Sequence, residues 1–342
     1  MRAFFNRKGI TLSIREYVIT ALSYMALGLF SSLIIGVIIQ TLGKVLQYAP
    51  LIEMGSFAMD AKVMGGAIGV AIAYGLKAPP LVMFAALFSG AFGAEMGGPA
   101  ASYIAALFSI EFGKIVSGET KLDIIVTPFI TILIGFMTGS IFGTYIQVFL
   151  SGFGDTIEWA TNQRPFIMGV LVALLMGLAL TAPISSVAIA IMLELDGLAA
   201  GAATIGCSAQ MIGFAISSYR ENGFGGLVAQ GIGTSMLQIG NVIKNPLILL
   251  PPTISGMVLA PFSTVLFQLE NNPAGAGMGT SGLVGQIMTF QTMGISWDTL
   301  WLIMSLHIIS PALISLVLSE LFRKQGWIKF GDMKLTLGEG GK

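Results

Sequence analysis

The chain has 342 residues, 55% of them hydrophobic and only 10% charged, with a formal net charge of zero and a mean hydropathy of +0.86. Soluble domains carry about 25% charged residues, so the composition excludes an ordinary water-facing surface and predicts an all-α integral membrane protein, a polytopic helical bundle with the lipid bilayer around it. The balanced charge and the lack of a long basic run remove the electrostatic footprint of nucleic-acid binding, so nucleic acid is excluded as a partner.

In chain order, the basic segment MRAFFNRKGITLSIREY precedes an apolar run at 18–42. That run is long enough to cross a bilayer and exceeds the short core of a signal peptide, so it is expected to be a retained first transmembrane helix. The following segment carries Lys44, Glu53, Asp60 and Lys62 and reads as an amphipathic connector that closes an N-terminal part, 1–62. Apolar segments follow at roughly 63–76, 80–92, 99–112, 124–150, 166–180, 184–193, 198–217, 227–240, 246–268 and 299–319. About ten crossings are expected. Several segments are shorter than the ~20 residues of a straight span and are interrupted by KAPP, GGPA, TAPIS and NPLILLPP, which predicts broken or re-entrant helices. A basic stretch near the membrane end of the tail matches the basic N-terminus, so both termini are expected on the cytoplasmic side.

Interrupted segments in corresponding places point to a transporter's binding site. GLKAPPLV resembles ALTAPISS, AEMGGPAASY from Ala94 resembles AQMIGFAISSY from Ala209, and the segment from Ile110 resembles that from Leu237. Two copies of one unit are therefore expected, 63–150 and 151–268 (166–268 without its linker), followed by 269–342 with a glycine-rich re-entrant loop, a last transmembrane helix and a tail. The pairing sets Glu95 against Gln210, Glu111 against Gln238 and Lys114 against Asn241. Intramembrane ionisable groups mark function by default, so Glu95, beside a helix interruption, is the leading candidate to bind substrate, with Gln210 and Asn241. Glu111 and Lys114 also stand three apart, the spacing of a helical ion pair.

The glycines divide into two kinds. Gly135, Gly139 and Gly143 recur every four residues and are expected to admit a neighbouring backbone. Those in LENNPAGAGMGTSGLVGQ, residues 269–286, crowd beside Asn271, Asn272 and Pro273. Gly277, Gly279 and Gly282 satisfy G-x-G-x-x-G, but the strand and βαβ context of a nucleotide site is missing. Irregular backbone at membrane depth is tolerated where protein or a watery cavity satisfies it. The stretch is accordingly expected to line a substrate cavity or gate, with Glu270, Asn271, Asn272, Gly277, Gly279, Thr280 and Ser281 as candidate contacts; a flexible loop outside the membrane is the alternative. His307, the one histidine, reads as a packed side chain or a proton carrier, and Glu111 is the other candidate for ion coupling. Cys207 reads as a small packed residue. No metal-ligand cluster, catalytic triad or cofactor motif is found, and no cofactor is expected.

The glycine stretch, TAPISSVAIAI and the paired half-repeats together resemble the IIC-type membrane components of the bacterial phosphotransferase system, in particular the subgroup with the perfringolysin-regulator-like proteins. The resemblance covers roughly 15–320. It implies a sugar or sugar-like substrate held by a membrane-buried carboxylate, a homodimer in the cytoplasmic membrane, and a phosphoryl donor, separate IIB and IIA phosphocarrier proteins, that is expected to be another chain or absent. The glycine-to-glutamate motif of sugar IIC proteins has its nearest match in GAE at Gly93–Glu95. A solute sensor without transport and an ion-coupled transporter are the alternative readings.

Overall fold

A computed structural model describes residues 7–10, 13 and 15–335; the ends of the expected N-terminal and C-terminal segments, 1–6 and 336–342, lie outside the described residues. Among the described residues there is no strand, only an isolated bridge between Gly197 and Asn271. Among the described residues six helices are long and apolar enough to cross a membrane: α1 (Glu16–Val45), α4 (Pro80–Val116), α5 (Asp123–Thr161), α8 (Gly197–Ser217), α11 (Pro246–Leu266) and α13 (Trp297–Lys324). A seventh is added if α2 (Ala49–Met59) and α3 (Ala61–Gly75), bent by 54°, form one broken span. Between these lie α6 (Pro165–Thr181), α7 (Ser186–Met192), α9 (Tyr219–Val228), α10 (Ile239–Lys244) and α12 (Val284–Met293). Part of the difference from the ten apolar segments has a local cause: 80–92 and 99–112 are two arms of one helix.

The chain divides into two compact units, residues 1–149 and 150–342. In the first, α4 breaks at Gly97 and Gly98, and Gly98 adopts φ +66°, a left-handed value that glycine reaches without a Cβ penalty. Pro99 then opens the second arm, where its missing N–H costs nothing. The first arm of α4 packs closely on α3: a Cβ at Gly69 would lie 2.1 Å from the Ala86 carbonyl oxygen, and one at Gly90 would lie 2.2 Å from that of Gly65. Gly135, Gly139 and Gly143 of α5 share one face, but what comes nearest to them is side chain rather than backbone: Ser89, Phe92 and Met96 of α4. Backbones drawn as close as those of α3 and α4 exchange weak contacts over a long surface, the kind of packing that holds helices together in lipid.

In the second unit α8 is the spine, with Ala202, Ala203, Ile205, Ala209, Met211 and Phe214 buried. A Cβ at Gly206 would fall 2.0 Å from the Ala173 carbonyl oxygen of α6, and one at Gly201 would fall 1.9 Å from that of Leu269. Helices α11 and α13 complete the surround, Gly213 facing Pro252 and Ser315. Outward faces are apolar, Phe224, Val265 and Leu313 among them, and suit lipid rather than water.

A buried polar site around the glycine-rich loop

Three irregular segments of the second unit converge on successive turns of α8. The first is the break at 182–185 between α6 and α7; the second runs from the π-turn Ala229–Gly233 through the 3-10 turn Ser235–Gln238; the third is the glycine-rich loop, 269–283. Asn271 is fully buried and fastens the loop's start: its amide nitrogen reaches Thr204 Oγ1 at 2.8 Å, the Gly285 carbonyl at 3.0 Å and Thr289 Oγ1 at 3.2 Å. Asn272 caps the single turn Pro273–Ala276, its side-chain oxygen accepting from the Ala274 and Gly275 N–H groups. Ser186 donates to the Gly277 carbonyl at 2.7 Å, and Thr280 donates to the Gly231 carbonyl.

The glycines make this burial possible. Gly279 has φ +55°, and a Cβ there would lie 2.6 Å from the Cys207 carbonyl carbon; at Gly277 it would lie 2.4 Å from the Ser186 carbonyl oxygen. The loop is therefore pressed onto α8 and the start of α7. One turn farther along α8, Gln210 donates to Thr253 Oγ1 at 2.7 Å and accepts from Thr181, whose hydroxyl also pairs with Ser235 at 2.8 Å.

Most polar groups here are used in holding the fold. Four are not: Ser208 Oγ, Ser281 Oγ, Gln286 Oε1 and His307 Nε2 are buried and find no partner. All belong to the loop or to residues beside it, since Gly279 packs on Ser208 and Gln286 Nε2 stands 3.1 Å from His307 Nδ1. With the amide nitrogen turned to it, Nδ1 accepts, so the neutral ring carries its proton on Nε2. His307 then presents an unpaired donor and Gln286 an unpaired acceptor, each costing roughly 1–3 kcal/mol when left buried and unmade. The two atoms lie on opposite sides of the imidazole, since the amide occupies Nδ1, so two separate hydroxyl groups are needed to answer them, one accepting from Nε2 and one donating to Oε1.

The residues singled out from sequence separate into distinct places. Gln210, Asn271, Asn272, Gly277, Gly279, Thr280, Ser281 and His307 lie around this loop, whereas Glu270 is exposed beside it, its backbone N–H on Met293 Sδ. Asn241 donates instead to Gln238 Oε1 at 2.8 Å and to the Lys334 carbonyl at 2.9 Å, and so holds the C-terminal tail. In the first unit Glu95 precedes the α4 break and pairs with Lys62 at 3.2 Å, the two side chains 40% and 66% exposed. A double-mutant cycle of Glu95→Gln and Lys62→Met, read from thermal unfolding, is expected to give a coupling of no more than ~1 kcal/mol. Glu111 accepts from Lys114 at 2.9 Å, while its second oxygen, buried and without a partner, belongs to a residue lining an apolar cavity of about 270 Å³ with Tyr17 and Phe108. Sequence reasoning missed Ser208 and Gln286. Gln286 closes the glycine stretch itself, so its position was a signal; Ser208 had none.

A family model described as phosphotransferase system, EIIC, matches residues 19–335. No curated protein matches, and no solved structure matches.

Proposed function

Because the chain belongs to the phosphotransferase system EIIC family, a multi-pass membrane component of that transport system, we propose that it is a permease for a small hydroxylated solute, a sugar or polyol, bound beside the glycine-rich loop. The observation that carries this reading is that four polar atoms of the loop and its neighbours are buried without a partner: His307 Nε2 and Gln286 Oε1, on two side chains bonded to each other, and the hydroxyls of Ser208 and Ser281. Gln210, Asn271, Asn272, Gly277, Gly279 and Thr280 shape the site through the bonds described above. Glu95, at the break of α4 in the first unit, is kept as a separate proposal for the carboxylate that the family resemblance implies. The loop would open and close as the solute passes, the irregular backbone on both sides of α8 supplying the joints.

In this reading both termini are cytoplasmic, since Arg7 and Lys8 precede α1 and Arg323 and Lys324 end α13. Separate IIB and IIA chains would supply the phosphoryl group, and the narrower likeness to perfringolysin-regulator-like proteins and the homodimer belong to the same proposal. Purified protein in liposomes decides it: radiolabelled sugars and polyols are offered outside, with and without a phosphoryl-donor system inside. Uptake of one solute class that Gln286→Met reduces at least about tenfold supports the permease, one lost bond to a buried polar group being worth ~1–3 kcal/mol. Binding without any uptake would make the protein a sensor. Uptake that follows a proton or sodium gradient without phosphorylation would make it an ion-coupled transporter.

A further inference from the structure

The C-terminal tail, residues 326–335, is read by side chains as a strand is read by its neighbour. Asn222 donates to the Met333 carbonyl at 2.8 Å and accepts from the Leu335 N–H at 2.8 Å. Gln238 donates to the same Met333 carbonyl at 2.9 Å, and Asn241 to that of Lys334. Asn245 holds the Trp327 carbonyl at 2.9 Å and the Asp332 carboxylate at 2.8 Å. Ile328 and Met333, both buried, fill a cluster with Phe214 of α8 and Ile248 of α11. A tail that merely ended the chain would need no such clamp.

The clamp is also wired to the loop. Gln238, while bound to Met333, donates to Gln230 Oε1 at 2.8 Å, and Gln230 is itself tied to Ser218 at 2.9 Å. The next residue is Gly231, whose carbonyl holds Thr280, and Thr280 follows Gly279, which rests on Cys207. Three residues before Gln238, Ser235 pairs with Thr181. The segment 230–238 is thus held by the tail on one side and holds the glycine-rich loop on the other. If the tail departed, Gln238 would lose the Met333 carbonyl while still bonded to Gln230, and Asn241 would lose that of Lys334, so the two ends cannot move independently without cost.

We propose that residues 326–335 form a latch: docked, the tail fixes segment 230–238 and keeps the glycine-rich loop closed on α8; released, it frees the loop to lift. Asn222, Gln238 and Asn241 are its positioning residues. The latch acts on the site assigned above, but its test reads the loop and not the solute, so either idea can fail alone.

Cys207 is the sole cysteine and fully buried; its Cβ lies against the loop at Gly279 and its thiol against the Met176 carbonyl of α6 at 3.4 Å, so its rate of alkylation by a small maleimide in the full-length protein is expected to rise when the loop lifts from that side of α8. The double substitution Ile328→Asp with Met333→Asp ejects the tail, which faster tryptic cleavage after Lys329 verifies. Labelling of Cys207 is then expected to rise about tenfold, as for a local opening that has become easier. A synthetic peptide of residues 326–335 should restore slow labelling, and the same peptide carrying Met333→Asp should not. Unchanged labelling with the tail shown to be free overturns the latch, as does a rise that the peptide fails to reverse. If the double variant does not fold, Asn222→Ala decides: removal of its two tail bonds should raise labelling about threefold, and no rise overturns the proposal.

Discussion

Gly279→Ala is expected to destabilise the protein by about 2–5 kcal/mol, the sum of a left-handed backbone strain of ~1–2 kcal/mol and an overpacking cost of ~1–3 kcal/mol. Its φ of +55° sets the first contribution, and the 2.6 Å approach to the Cys207 backbone sets the second. Cys207 sits in the middle of α8 and cannot withdraw, so the loop must. Gly118→Ala serves as the control: φ there is +73°, but a Cβ would meet nothing within 4 Å, leaving strain alone. Thermal unfolding in detergent should place Gly279→Ala well below Gly118→Ala, and labelling of Cys207 should quicken in the first and not the second. Equal losses would show that the loop is not pressed onto α8.

The second large effect concerns Arg323. Both of its terminal nitrogens lie 3.3 Å from Glu221 Oε1, the Gly331 N–H donates to that oxygen at 2.8 Å, and the glutamate side chain is 0% exposed. Removing the cation leaves a buried carboxylate uncompensated, so Arg323→Met should cost about 3–5 kcal/mol. Adding Glu221→Gln should recover much of it, because the amide oxygen still accepts from Gly331 and no charge remains buried. Arg323→Lys should fall between, since an ammonium cannot reproduce the planar fork that also reaches the Ser217 carbonyl at 3.1 Å. Unfolding midpoints of the three variants check the order. A double variant no more stable than Arg323→Met would mean that the pair's charge is not the source of the loss.

What could be read in the sequence follows from what is local. Broken helices were legible because proline and glycine break them wherever they stand: GGPA marks the kink of α4, and TAPIS marks the end of α6. The glycine face of α5 was legible from its spacing. The unusual nature of the 269–286 stretch was visible too, although its two asparagines serve to fasten the loop rather than to face a cavity. What stayed hidden depends on distant partners. Nothing near Asn241 in sequence announces the Lys334 carbonyl, and Glu221 and Arg323 meet across 102 positions. The unpaired state of Gln286 and His307 is likewise a property of their surroundings, since either side chain could have been satisfied by neighbours that one sequence does not reveal.

The most direct test of the site is thermal unfolding of the purified protein against sugars, polyols, sugar phosphates and nucleosides, with Gln286→Met and Glu95→Gln measured beside the wild type. A solute bound only by the folded state stabilises it by mass action, by ~2.7 kcal/mol at one hundred times its dissociation constant. One hydroxylated class is expected to raise the wild-type midpoint and to lose most of that effect in Gln286→Met; Glu95→Gln tests the carboxylate of the first unit separately. An equal rise in wild type and Gln286→Met, or no rise from any solute in the panel, would contradict the binding site beside the glycine-rich loop.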